Sequence, residues 1–203
     1  MKSLIYILLI TLLACNWSPG GKDTYPIGQI KTPQGEMLFW LYEETPNHKA
    51  SFIKLANEHY WDTLTFNRVI EGFVIQGGCP DTPEGFADSP YLLKPEFHDH
   101  IKHTYGAVGA GRDDNPEKLS AGCQLYIVHD KGGIPRLDGN YMIFGQVFKG
   151  LKVLEAIANM ETDSLDQPLE AVPMEVRVVE MTKKELKAAG FDALGIKLDS
   201  DKK

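Results

Sequence analysis

The chain has little positive charge for its size, and this shortage limits its partners. Its 203 residues include 21 lysines and arginines against 28 aspartates and glutamates, which gives a formal net charge of −7. A protein that binds nucleic acid through the phosphates needs a concentrated positive surface. We therefore expect no nucleic-acid partner.

The chain also has no hydrophobic run of membrane-spanning length. Residues 4–13 are apolar, but a permanent transmembrane helix takes roughly 20 residues. Because Lys2 precedes this run, residues 1–14 are predicted to be a secretory signal peptide. The following Leu12-Leu13-Ala14-Cys15 resembles a bacterial lipobox, which predicts lipidation of Cys15. The lipid would hold the protein, outside the cytoplasm, at the surface of a cell-envelope membrane. The alternative is an ordinary exported protein in which Cys15 merely follows the signal.

Cysteine is scarce, with three in the whole chain. If Cys15 carries a lipid, Cys79 and Cys123 are left to form a disulfide. An oxidising compartment permits that pairing, but the geometry of a disulfide is demanding. We expect two free thiols.

Signals for metals and nucleotides are weak. His98, His100 and His103 offer metal-type side chains around Asp99, but no fourth ligand lies at a suitable spacing, so a solvated loop is favoured. Residues 106–111 are rich in glycine yet lack both the dinucleotide spacing and the Gly-Lys-Ser/Thr of a phosphate loop. We expect neither a metal ion nor a cofactor.

What the sequence does contain is enough apolar surface, 43% of residues, for one domain with a substantial core. Strands are predicted at 28–32, 37–42, 66–76, 107–111, 124–129, 142–148 and 176–181, and helices at 47–57, capped by Asn47, and 151–158. Residues 15–26 are predicted to form a flexible linker, and residues 27–181 are predicted to form the domain. Residues 182–203 indicate a short helix, opened by a Thr182/Glu185 capping box, and a loosely held tail.

Residues 66–78 place one cation, Arg68, and one amide, Gln76, in an apolar strand-like run. If the run is a single extended strand, the two side chains project from the same face, whereas Phe73 does not unless Gly72 permits a bend. A lone arginine in a strand is usually one whose guanidinium reaches solvent over apolar neighbours. A functional role therefore depends on other motifs.

Two such motifs follow: SAGCQLYI at residues 120–127 and LDGNYMIFG at residues 137–145. With the run FNRVIEGFVIQGG at 66–78, their order and spacing resemble those of the cyclophilins, which are peptidyl-prolyl isomerases. The resemblance extends over about residues 29–181, and Leu125 departs from it by replacing an aromatic residue. It implies a mostly β fold, a closed eight-stranded antiparallel β-barrel capped by two α-helices.

The resemblance also implies an activity, the cis/trans isomerisation of X–Pro bonds in unfolded or flexible proteins. With the predicted signal peptide, the substrates would be exported proteins whose folding a monomeric enzyme assists. One alternative is a proline-peptide binding module or holdase chaperone with little turnover, and another is a lipoprotein that only scaffolds a complex. Retention of Arg68 favours the enzyme, because binding alone does not need that donor.

The resemblance assigns site residues as well. Arg68 matches the catalytic arginine. The matching substrate-binding positions are the proline pocket of Phe73, Val74, Tyr126 and Leu137, the polar Gln76 and Gln124, the backbone-contacting Gly111 and Arg112, and the wall residues Arg136 and Tyr141. Arg136 stands where many cyclophilins carry a tryptophan that donates a hydrogen bond to cyclosporin, which implies weak inhibition by that drug. Asn67 and Val74 replace a common histidine and methionine.

Overall fold

The computed structural model describes residues 23–79 and 92–198. The predicted signal peptide, Cys15 and residues 199–203 lie outside the described residues. No helix in the two described ranges is long and apolar enough to cross a membrane.

The described residues form a mostly β structure with three short helices. The strands are β1 (Thr24–Thr32), β2 (Gly35–Leu41), β3 (Phe66–Ile70), β4 (Val74–Gly77), β5 (Leu92–Leu93), β6 (Ala107–Ala110), β7 (Ser120–Ala121), β8 (Leu125–Val128), β9 (Met142–Lys149) and β10 (Glu175–Thr182). Eight of them build one antiparallel sheet in the order β10-β1-β2-β9-β6-β8-β4-β3, while β5 pairs with β7. The predicted strands are present with boundaries shifted by a few residues, except that the strand predicted at 66–76 is wrong: it is two strands, β3 and β4, joined by a turn.

The first strand begins earlier than the sequence indicated. Thr24 already pairs with Thr182 of β10, and Tyr25 and Pro26 continue the ladder. Three residues of the segment predicted as a linker are thus part of the sheet.

Strand β2 is buried on both faces, which explains its unbroken apolar sequence. Phe39 and its same-parity neighbours enter the main core, whereas Trp40 points to the opposite face. There the Trp40 ring lies 4.9 Å from the ring of Phe191, and Leu198 is buried in the same cluster. The prediction of a loosely held tail is therefore wrong for residues 191–198.

The two edges of the sheet, β3 and β10, are not joined by a direct ladder within the described residues. The segment just ahead of β10 instead bonds to the start of β3. The N–H of Phe66 donates to the carbonyl of Val172 at 3.0 Å, and the N–H of Met174 donates to the carbonyl of Leu64 at 3.1 Å. The large antiparallel sheet is confirmed, and its closure into a barrel stays a prediction.

The helices are α1 (Pro46–Asn57), α2 (Leu151–Ala158) and α3 (Lys183–Ala188). Helix α1 begins at a proline, which suits the first helical position because its missing N–H has no helical partner there. Its N-cap is Thr45, so the prediction of Asn47 as the cap is wrong. Helix α2 has the predicted bounds, and the capping box of Thr182 and Glu185 at α3 is confirmed.

Cys79 and Cys123 form a disulfide, with their Cα atoms 5.4 Å apart. The expectation of two free thiols is therefore wrong. The sequence separates these cysteines by 44 residues, but β4 and β8 are neighbours in the sheet, so the end of one strand meets the start of the other. Only the strand pairing reveals that proximity.

Candidate active site

A hairpin, not a single strand, brings Arg68 and Gln76 together. Strands β3 and β4 are joined by a turn in which Gly72 adopts a φ of +70°, a conformation that favours glycine. Arg68 then lies directly opposite Gln76 in the ladder, and its Nη1 donates to Gln76 Oε1 at 2.9 Å. Arg68 and Gln76 are neighbours as predicted, but not because they share one face of a single strand. The bend at Gly72 folds the run back on itself and places them on adjacent strands.

Gln76 is held from its other side by Gln124. Gln76 Nε2 donates to Gln124 Oε1 at 2.7 Å, and Gln124 is buried. The close approach of the Gln124 side chain to Gly111 leaves no room for a Cβ at that position. The three polar side chains of Arg68, Gln76 and Gln124 thus form a chain of hydrogen bonds that sets the orientation of the central amide.

A cavity of about 260 Å³ opens beside this chain of hydrogen bonds. Its lining combines an apolar floor with a cationic rim and contains ten of the eleven predicted site residues, namely Arg68, Phe73, Val74, Gln76, Gly111, Arg112, Tyr126, Arg136, Leu137 and Tyr141. Gln124, the eleventh, lies behind Gln76 and outside the lining. Three strands, β3, β4 and β8, supply four of these residues, and the turn at Pro135–Leu137 supplies two. The other four lie in segments next to strands, so the sheet and not one loop positions the site.

The floor of the cavity rests on a buried polar network. The hydroxyl of Tyr126 lies 2.8 Å from His103 Nε2 and 3.1 Å from the carbonyl of Met142, and His103 Nδ1 lies 2.7 Å from Asp138 Oδ1. Burial lowers the pKa of His103 despite the neighbouring Asp138 carboxylate. Burial alone would raise the pKa of Asp138, but its bonds from the His103 N–H and ring hold that pKa below its ordinary value. His103 is therefore neutral at pH 7, with its proton on Nδ1 toward Asp138. The single proton of the Tyr126 hydroxyl then has two acceptors within reach, His103 Nε2 and the carbonyl of Met142.

The prediction that His98, His100 and His103 share a solvated loop is thus wrong for His103, which is 3% exposed. His98 and His100 are exposed, and His98 Nε2 lies 2.8 Å from the carbonyl of Glu44. Across residues 23–79 and 92–198, no three histidine, cysteine or acidic side chains converge to hold a metal ion.

The rim carries three arginines with different surroundings. Arg68 Nε lies 3.8 Å from Asp166 Oδ2. Arg112 donates from Nε to the carbonyl of Asn140 at 2.8 Å and stacks on the ring of Tyr141, with 4.7 Å from Cζ to the centroid. The guanidinium of Arg136 stacks on the ring of Phe73 at 5.0 Å.

Comparison with known proteins identifies the family. The model of the cyclophilin type peptidyl-prolyl cis-trans isomerases matches residues 27–179. The chain belongs to the cyclophilin family. Peptidyl-prolyl cis-trans isomerase ppi1 of Schizosaccharomyces pombe is 36% identical to this cyclophilin over 145 residues, which cover 70% of this chain and 91% of that protein. Peptidyl-prolyl cis-trans isomerase B of Bacillus subtilis is 40% identical over 126 residues, which cover 60% of this chain and 82% of that protein.

The fold of this cyclophilin is also found among solved structures. A cyclophilin-type isomerase of Cryptosporidium parvum, crystallised in the presence of the dipeptide Ala-Pro, aligns with a TM-score of 0.68 and 23% identity, covering 77% of this chain and 99% of that one. Family and relatives together give the activity, which is the cis/trans isomerisation of X–Pro peptide bonds.

One part of the cyclophilin site that sequence reasoning missed is the support of the β3–β4 turn. The N–H of Gly72 donates to His129 Nδ1 at 2.9 Å, and the N–H of His129 donates to the carbonyl of Phe73 at 2.8 Å. On its other side His129 Nε2 lies 3.1 Å from Glu155 Oε2. Hydrogen bonds from Tyr105, His129 and Lys131 lower the pKa of Glu155 to about 2, so this anchor is ionised at neutral pH. No local sequence signal identifies His129, because its partners come from a turn and a helix far along the chain.

Proposed function

We propose that this cyclophilin isomerises X–Pro bonds by using Arg68 as the hydrogen-bond donor to the prolyl nitrogen. Amide resonance places roughly 20 kcal/mol between the cis and trans forms. In the twisted state the nitrogen becomes pyramidal and gains a lone pair that a donor can stabilise. Arg68 is permanently charged and gives one N–H to Gln76, which leaves other donors for the substrate.

The observation that best supports this proposal is the pair of hydrogen bonds made by the side-chain amide of Gln76. Its Oε1 accepts from Arg68 and one N–H of its Nε2 donates to Gln124. The second N–H of Nε2 is thereby aimed with a fixed amide orientation, and we assign it to the carbonyl oxygen of the substrate. The proline ring occupies the apolar floor made by Phe73, Val74, Tyr126 and Leu137, while Gly111 and Arg112 lie along the substrate backbone.

The assay that tests this proposal is exchange NMR of a short uncharged peptide with an Ala-Pro bond and the purified protein. It follows interconversion without a coupled protease. Faster exchange at catalytic concentrations of protein supports the enzyme. Line broadening from binding without faster interconversion would instead support the proline-peptide binding module or holdase.

We further propose that the protein acts outside the cytoplasm, tethered through a lipid on Cys15, as a monomer on unfolded or flexible exported proteins. The apolar run at residues 4–13 and the lipobox-like residues 12–15 support export and anchoring. The Cys79–Cys123 disulfide adds support, because disulfides persist mainly in oxidising compartments. Mass spectrometry of the mature N-terminus tests the anchor, since an unmodified chain that begins elsewhere than Cys15 would contradict it.

We also infer that the sheet closes into a barrel through residues 172–174. These residues lead directly into β10 and carry the hydrogen bonds to Leu64 and Phe66 described above. Slow amide hydrogen exchange at Phe66 and Met174, comparable with that of the central strands, is the expected result.

A further inference from the structure

The charge of the pocket lining is opposite to that of the molecule. The chain carries more acidic than basic residues, yet three of the ten lining residues are arginines and none is an aspartate or glutamate. A concave site lined by charge of one sign attracts ligands of the opposite sign.

Two of the three arginines are already engaged by the protein. Arg68 donates to Gln76 and lies near Asp166, as described above. Arg112 donates to the backbone carbonyls of Asp113 and Asn140 and stacks on Tyr141. Their guanidinium groups are therefore partly neutralised or fixed in place by neighbours.

Arg136 differs from both. Its side chain is exposed, and among the described residues its guanidinium has neither a carboxylate nor a hydrogen-bond acceptor but stacks on the face of Phe73. The neighbouring Leu137 is buried in the pocket wall, which anchors the turn that carries Arg136. Stacking on the ring fixes the direction of the guanidinium while leaving its N–H donors free.

The carboxylates close to this rim are occupied. Asp138, two residues along the chain from Arg136, bonds to His103 and lies 3.7 Å from Lys102 Nζ. Asp166 lies on the side of Arg68. Neither forms an ion pair with Arg136, so within residues 23–79 and 92–198 the cation is available to a ligand.

We propose that Arg136 makes this cyclophilin selective for X–Pro segments with a carboxylate side chain within two residues of the proline. The proposal rests on the proposed function, since it names the substrate class of the same pocket. A substrate whose ring enters the floor beside Phe73 brings its neighbouring side chains to the cation stacked on that ring. Arginine suits the task because its planar fork can bind a carboxylate with two parallel hydrogen bonds.

The expected preference is modest, because the rim is exposed to water. A single charge pair at such a site gives about a three- to tenfold higher kcat/KM for the acidic peptide. The preference decreases as salt rises, since the Debye length falls to about 3 Å at 1 M ionic strength.

The experiment compares peptides that differ only beside the Ala-Pro unit, with glutamate, glutamine or lysine placed on either side. Exchange NMR gives kcat/KM for each peptide with the wild type, Arg136→Gln, Arg136→Lys and Lys152→Gln. Lys152 is an exposed cation on α2 that does not line the pocket, so its variant has the same change in net charge without the local effect. We expect the wild type and Lys152→Gln to prefer the glutamate peptide over the glutamine and lysine peptides. Arg136→Lys should keep part of this preference, and Arg136→Gln should lose it.

The outcomes separate the two proposals. If the wild type accelerates none of the peptides, the proposed function fails. If it accelerates the glutamine peptide and treats glutamate alike, the activity stands and the selectivity is wrong. A preference for glutamate that survives in Arg136→Gln also overturns the proposal, because another group would then be responsible.

Discussion

Among individual residues, the central feature of the site is that Gln76 and Tyr126 are each held by other polar side chains. Gln76 is oriented by Arg68 and Gln124, and Tyr126 is oriented by His103, which Asp138 holds in turn. Such preorganised donors need little rearrangement when the substrate twists.

The substitution Tyr126→Phe keeps the ring of the pocket floor and removes its hydroxyl. His103 Nε2 then loses its partner in a buried environment, so we expect the free energy of unfolding to fall by about 1–3 kcal/mol. Isomerase kcat/KM should change by less than about threefold. Urea unfolding and exchange NMR measure the two quantities. A large loss of activity at unchanged stability would mean that the hydroxyl contacts the substrate.

Arg136 also bears on inhibition by cyclosporin. A hydrated cation stacked on Phe73 replaces the flat indole that the resemblance to cyclophilins leads one to expect, and it must be desolvated beneath an apolar cyclic peptide. We expect weak inhibition of the wild type and at least about tenfold stronger inhibition of Arg136→Trp. Titration of the drug into the isomerase assay measures both. Tight inhibition of the wild type, or no gain in the variant, would exclude position 136 as the determinant.

The sequence identifies the site residues that lie within motifs. It does not identify those that only the fold brings to the site. Arg68, Phe73 and Tyr126 were named from their motifs, and they line the cavity. His103 and His129 were not assigned to the site, because their partners come from turns and strands that are distant in sequence. The hydrogen bonds of Gln124 to Gln76 likewise depend on β4 lying beside the segment that precedes β8.

Among the elements, β3, β4 and β8 position the site, and the disulfide joins two of them. Cys79 follows β4, and Cys123 precedes both Gln124 and β8. The carbonyl of Cys123 also accepts from Trp61 Nε1 at 2.8 Å. The disulfide thus ties the ends of the strands that carry Gln76 and Gln124.

Removing the disulfide tests that role. In the chain-entropy model, a crosslink that spans 44 residues contributes about 4 kcal/mol to the free energy of unfolding. We expect the double variant Cys79→Ser and Cys123→Ser to lose a sizeable part of this contribution to the free energy of unfolding. The effect on kcat/KM should be smaller. Denaturant unfolding of the oxidised, reduced and substituted protein measures it. Equal stability of the oxidised and reduced protein would contradict a structural role.

Local sequence predicts the helices and most of the strands. It does not predict the turn at Gly72 or the packing of the C-terminal segment. The bounds of α2 follow from its apolar spacing, and the capping box of α3 is local. The sequence of residues 66–76 predicts one strand and not a hairpin, because the left-handed turn at Gly72 forms only when β3 pairs with β4. The burial of Phe191 depends on the outer face of β2, which the tail sequence does not reveal.

For the whole molecule, buried histidines link stability to pH. Burial lowers the pKa of His48 and of His103 below the ordinary 6.5, although each has a carboxylate partner, Glu96 or Asp138. His48 Nε2 is buried and has no partner among the described residues, so a proton added there would find no acceptor.

The unfolded chain binds a proton at each histidine near pH 6.5, while the folded chain resists it, so stability is complete above that pH and decreases as the pH falls. The pKa values of Glu96 and Asp138 are also lowered in the folded chain, so the loss of stability continues as the pH falls into the acid range. We expect Tm to be level from about pH 8 to 7 and to decrease below about 6.5. Calorimetry across that range measures it.

A single variant makes the pH test specific. His103→Asn removes one of the two buried imidazoles and should flatten part of the dependence. A Tm that stays constant from about pH 8 to 5, or a dependence that is unchanged in His103→Asn, would contradict this explanation.

The role of Arg68 as the donor to the prolyl nitrogen is tested most directly by separating turnover from binding in Arg68→Ala. Exchange NMR gives kcat/KM, and titration calorimetry with the same proline peptide gives Kd. Arg177→Ala is the control, because Arg177 bonds to Asp62 and does not line the pocket. We predict that Arg68→Ala lowers kcat/KM about a hundredfold or more while Kd changes by less than about tenfold. Equal kcat/KM in the wild type and Arg68→Ala would contradict the role assigned to Arg68.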